Sequence, residues 1–164
     1  MQIYAQVSHA ANISKKPFRS LRTTKLGTAG EKFIERHLRA KGLKVYKPGR
    51  GKHPIDFVVI DKESRVWLID VKTYPRRWAY NDTGVDTKDW RKYCNLADAN
   101  ANRVLIYFVD LTEESVYRFH LNDELKAKAY EHVGKTYFPL ADREMVIRQI
   151  GPDSLKALRA FQDR

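Results

Sequence analysis

Cysteine is nearly missing from this 164-residue chain: Cys94 stands alone, so no intrachain disulfide can form and a disulfide-stapled secreted scaffold is excluded. Long apolar runs are missing as well. The longest, Val104 to Val109, falls far short of the roughly 18 residues of a membrane span, so a soluble protein with no membrane partner is expected. The histidines His9, His37, His53, His120 and His132 are scattered, none beside a cysteine or second histidine at zinc-ligand spacing, which argues against a structural zinc site. Acidic residues are absent from the first 30 positions, which carry Lys15, Lys16, Arg19, Arg22 and Lys25.

What is present is charge of one sign and enough grease for a core. The chain has 31 Lys and Arg against 20 Asp and Glu, a formal charge of +11, which favours a polyanionic partner, nucleic acid above all. Leu, Ile, Val and Phe are frequent enough for one folded domain. Residues 1–26 read as a basic arm able to track phosphates, and residues 27–164 as the domain that follows. An acid-free start also describes an organellar transit peptide, but the single cysteine fits a reducing, cytoplasmic compartment in a bacterial, archaeal or phage-infected cell.

The pattern of residues predicts an α/β domain. Thr28-Ala-Gly-Glu31 reads as a capping box opening a helix that Gly42 ends. Strands are expected over 43–47, 55–60 and 65–71, with Asp61-Lys62-Glu63-Ser64 as the turn between the last two. Residues 73–86, with Pro75, Gly84, two arginines and three aromatics, read as a long flap. A helix over 87–100, strands over 103–109 and 116–120, and helices over 123–131 and 153–163 complete a central sheet covered on two faces.

If the two central strands pair so that Asp61 faces Arg65, then Asp56 faces Asp70. Two carboxylates opposed on a sheet with two apolar faces repel each other, and Lys72 alone cannot offset them. A hard divalent cation is the natural complement, with Glu31 as a third carboxylate. Such a centre suits phosphodiester hydrolysis, with Mg2+ as the cofactor and Mn2+ as its substitute, and with Lys72 orienting the nucleophile or stabilising developing charge.

Gly30-Glu31 on a helix, Pro54-Ile55-Asp56 entering a strand and Asp70-Val71-Lys72 ending the next resemble the PD-(D/E)XK nuclease superfamily. The layout is similar to archaeal-type Holliday-junction resolvases and related phage nucleases. The resemblance implies a restriction-endonuclease-like central mixed sheet flanked by helices. It also implies that Glu31, Asp56, Asp70 and the Val71 carbonyl are metal ligands, that Lys72 is catalytic, and that branched or junction DNA is the substrate of a homodimer. Lys88 or Lys92 is then the polar residue expected on the next helix, and Arg50, Lys52, Arg76 and Arg77 join the arm and Lys88 as nucleic-acid contacts. Two other readings stand beside this one: a noncatalytic nucleic-acid-binding module of the same fold, and a restriction-type enzyme reading duplex sequence. Trp90, Tyr93, Leu105, Tyr107 and Val109 are expected in the core.

Overall fold

The structure, a computed structural model, describes residues 22–49, 53–74, 77 and 79–161. Helix α1 (Arg22–Ala40) is longer at its start than the sequence suggests. Thr28 does not cap it: its hydroxyl donates to the Thr24 carbonyl at 3.0 Å, inside the helix, so Glu31 is released from the capping role and stands two turns in. The other end follows expectation. Gly42 has φ 78°, and the Gly42 and Leu43 amides donate to the carbonyls of Arg39 and Leu38, closing a Schellman motif.

Strands β1 (Lys44–Tyr46), β2 (Phe57–Ile60) and β3 (Val66–Thr73) then form an antiparallel meander. The β2–β3 register is the expected one, pairing Phe57 with Ile69 and Val58 with Leu68. Asp61 fixes the turn: its carboxylate accepts the amides of Glu63 and Arg65, the Arg65 guanidinium and the Trp67 indole N–H. The flap expected over 73–86 is partly a strand, β4 (Asp82–Asp86). Asp and Gly are poor strand formers, which hides it in the sequence. Gly84 is required there, because a Cβ would lie 2.4 Å from the Thr136 carbonyl oxygen of the neighbouring strand.

Helix α2 (Thr87–Ala99) leads to β5 (Val104–Asp110), which pairs in parallel with β3 and is buried throughout, and then to β6 (Ser115–His120). The helix expected over 123–131 stops early. It is α3 (Asp123–Lys128), capped by Asn122, and Tyr130–His132 is instead strand β7, which pairs with β8 (Lys135–Pro139). A short 3-10 turn (Leu140–Asp142), β9 (Glu144–Ile147) and α4 (Pro152–Arg159) follow.

The central mixed sheet has six strands in the order β1-β2-β3-β5-β6-β9, and a second sheet has three, β4-β8-β7. Period-two alternation divides the core. Odd-numbered residues of β2, β3 and β5 (Phe57, Val59, Ile69, Val71, Leu105, Tyr107) pack against Ile34 and Leu38 of α1 and Leu155 and Leu158 of α4. Even-numbered Leu68, Val104, Ile106 and Phe108 pack against Trp90, Tyr93 and Ala97 of α2 and Phe138 of β8. Trp90, Tyr93, Leu105, Tyr107 and Val109 are all buried, as expected. No described helix is long and apolar enough to cross a membrane.

Candidate active site at the end of strand β3

Strand β3 outruns β2, and the overhang carries the charged residues. The Asp56 amide donates to the Ile69 carbonyl at 2.9 Å, which seats Asp56 one step before β2 and, by the observed register, opposite Asp70. Its side chain then takes the place of a strand: Asp56 Oδ2 accepts the Val71 N–H at 2.7 Å. Leu68 donates its amide to Arg103, on the β5 side, so the odd-numbered peptide groups of β3 face the other way. The Val71 carbonyl therefore points to the same edge as its amide, toward Asp56.

Asp70 is 5% exposed and pairs with Lys72, Nζ to Oδ2, at 2.9 Å. Lys72 lies 5.6 Å from the centre of the Tyr93 ring, and the Tyr93 hydroxyl helps to hold the charge on the Asp70 carboxylate. Glu31 approaches from α1. Its neighbour Gly30 lies so close to β3 that a Cβ on it would stand 1.8 Å from Thr73 Oγ1.

The electrostatics record an excess of carboxylate. Burial, then the charge of Asp70, push Asp56 up to about 7 against the help of the Val71 amide. Burial also raises Asp70, where the Lys72 ammonium opposes it. Glu31 is raised by burial, with Lys47 pulling the other way and Asp70 adding to the rise. Burial disfavours the Lys72 charge, but Asp70 and Asp56 outweigh it and hold the ammonium above its ordinary range. Glu31, Asp56, Asp70 and Lys72 thus act on one another electrostatically.

Among the described residues no three acidic, histidine or cysteine side chains are gathered closely enough to hold a metal ion: Asp70 leans on Lys72 and Asp56 on the Val71 amide. The donor chemistry nonetheless fits a divalent cation. Carboxylates and a strand-edge carbonyl are hard oxygen ligands of the kind Mg2+ takes, and a carboxyl driven to about 7 by burial and a like charge is a local demand for positive charge.

The expected nucleic-acid contacts are distributed unevenly. Lys15, Lys16, Arg19, Arg50, Lys52 and Arg76 lie outside the described residues. Arg22 and Lys25 belong to the first turn of α1, and Lys25 and Lys88 are exposed. Arg77 is half-buried, with tyrosine rings on either side. On α2 the residues that face the site are Tyr93 and, through its charge on Asp70 and Lys72, Asp89; Lys92 pairs with Asp89 at 3.0 Å. Tyr93 was legible only as core, although Asp89 and Tyr93 stand four apart on one helical face. Lys47, at the exit of β1, was not anticipated either; it pairs with Glu35 at 2.9 Å and acts on Glu31.

A mixed sheet flanked by helices, with a carboxylate pair and a lysine at the end of its third strand, has the architecture of restriction-endonuclease-like nuclease domains. Residues 26–128 match the nuclease-related domain, NERD, and the chain belongs to that family. Among solved structures it is similar to the Holliday junction resolvase Hjc of Archaeoglobus fulgidus, at 13% identity and a TM-score of 0.50 over 70% of this chain and 88% of that one. It is also similar to D212, a nuclease from a fusselovirus, at 16% identity and a TM-score of 0.44 over 84% and 90% of the two chains. No curated protein matches it.

Proposed function

We propose that this nuclease-related domain is a Mg2+-dependent DNA endonuclease that hydrolyses phosphodiester bonds, with branched DNA as its substrate. The observation that carries the reading is the opposition of Asp56 and Asp70 in register, with Lys72 paired to Asp70 and Glu31 within electrostatic reach. Glu31, Asp56, Asp70 and the Val71 carbonyl are the groups that would hold the cation. The chemistry such an ion supplies is polarisation of the scissile phosphate and acidification of the attacking water. Lys72 keeps its proton, so it serves as a fixed positive charge that orients the nucleophile and stabilises the charge developing on phosphate. Tyr93 holds Asp70 in place from α2. The formal charge of +11 supports a DNA partner.

Junction preference is supported by the fold shared with Hjc, and paired cuts across a junction would call for two copies of the domain. The basic segment before α1 would add phosphate contacts. Purified protein should cleave at least one of a panel of duplex, flap, junction and single-stranded DNA when Mg2+ or Mn2+ is added. EDTA or Asp70→Ala should stop cleavage and leave binding. Cutting that survives either change would refute the assignment. Cutting confined to one short duplex motif would point instead to a restriction-type enzyme, and salt-sensitive binding without any cutting to a noncatalytic module.

A further inference from the structure

The segment that leaves β3 after Lys72 builds a second feature, on the outer face of the small sheet. There Gly84 of β4 is paired with Tyr137 of β8. A Cβ on Gly84 would come within 2.8 Å of the Tyr137 ring, so the glycine lets that ring lie close against β4. Arg77 packs on the ring. Its guanidinium carbon is 4.2 Å from the centre of the Tyr137 ring and 3.6 Å from that of Tyr80. Arg77 Nε lies 3.5 Å from Asp82, which also accepts the Tyr130 hydroxyl, and the Tyr130 and Tyr137 rings are 5.7 Å apart. Arg77 thus lies against the rings of Tyr137 and Tyr80 and within reach of the Tyr130 hydroxyl. Tyr80 is 57% open to solvent.

We infer that Tyr80 is a stacking platform for an unpaired base of the DNA substrate, with Arg77 as the positioning residue behind it; this deepens the nuclease reading and rests on it. A ring already stacked on a cation, itself tethered to Asp82, is presented flat and loses little freedom when a base settles on it. Five residue steps take the chain from Lys72 to Arg77, at most about 18 Å between their Cα atoms. Bases inside a duplex are already stacked on both faces, whereas a base at a branch point, flap or gap offers a free face. The site thus selects DNA that offers an unpaired base.

The test uses the full chain in EDTA and two oligonucleotides, a duplex and the same duplex bearing a single-stranded flap with 2-aminopurine at an unpaired position. Wild type and Tyr80→Phe should quench the probe. Tyr80→Ala, shown folded by circular dichroism, should lose the quenching and bind the flap about 5- to 100-fold more weakly while holding the duplex as before. Equal flap affinity in Tyr80→Ala, or equal losses on both DNAs, overturns the inference. Since EDTA separates stacking from cleavage, a wild type that quenches but never cuts with Mg2+ supports the platform while refuting the nuclease assignment.

Discussion

Gly30 and Thr73 are packed so closely that no side chain larger than hydrogen fits between helix α1 and strand β3: a Cβ on Gly30 would stand 1.8 Å from Thr73 Oγ1 and 3.0 Å from Thr73 Cβ. This contact sets the height of Glu31 above the overhang of β3. Gly30→Ala should cost roughly 1–3 kcal/mol of stability, the usual range for overpacking, and cleavage should drop with it because Glu31 moves. Trimming the partner should relieve the clash. Urea titrations and cleavage rates of Gly30→Ala, Thr73→Ala and the pair will show whether the double variant recovers; additive losses would mean that the contact is not the cause.

Asp56 gives the metal-free protein a characteristic pH dependence. Its folded-state value of about 7 lies above the ordinary 3.8, so between these limits the native state binds a proton that the unfolded chain has released. Stability should then fall as pH rises through that window, by up to about 1.4 kcal/mol per unit, and level off above it. Urea titrations in EDTA at pH 5 and pH 8 should show the protein more stable at the lower pH, and Asp56→Asn should flatten the profile. A wild-type profile that is already flat would contradict the burial assigned to this carboxyl.

Mg2+ should substitute for that proton. Melting temperature should rise with Mg2+ at pH 8 and less at pH 5, because cation and proton compete for the same oxygens. Asp70→Asn should abolish the rise. An equal Mg2+ effect in wild type and Asp70→Asn would place the ion elsewhere.

Tyr93→Phe isolates the contribution of α2. The ring remains in the core while Asp70 loses a hydrogen-bond donor, at a cost of about 1 kcal/mol. If the hydroxyl also steadies Asp70 during turnover, kcat should fall on the order of tenfold, the equivalent of about 1.4 kcal/mol, with KM unchanged. A loss of stability without a change in kcat would leave Tyr93 a packing residue.

The core of this arrangement was legible because two simple periodicities carry it. Alternation along 55–60 and 65–71, with a turn whose length fixes the register, is enough to bring Asp56 opposite Asp70 and to leave Lys72 on the same side. Local chemistry was less transparent. Thr28 and Glu31 have the spacing of a capping box, yet Thr28 donates back to Thr24 and the helix begins six residues earlier. The small sheet is hidden in the sequence because Asp82-Thr83-Gly84-Val85-Asp86 has weak strand propensity and becomes a strand only where Lys135–Pro139, some fifty residues on, meets it. Tyr93 read as core because burial and a role at the site draw on the same residue type.

The placement of β3 between β2 and β5 governs when the centre can exist. By the time Lys72 leaves the ribosome every charged member has been made, but one edge of β3 stays bare until Val104–Asp110 emerges to pair with it. The seat of α1 is then still short of Leu155 and Leu158, from helix α4. An interrupted translation product would accordingly carry Glu31, Asp56, Asp70 and Lys72 in full without the strand pairing that holds them together.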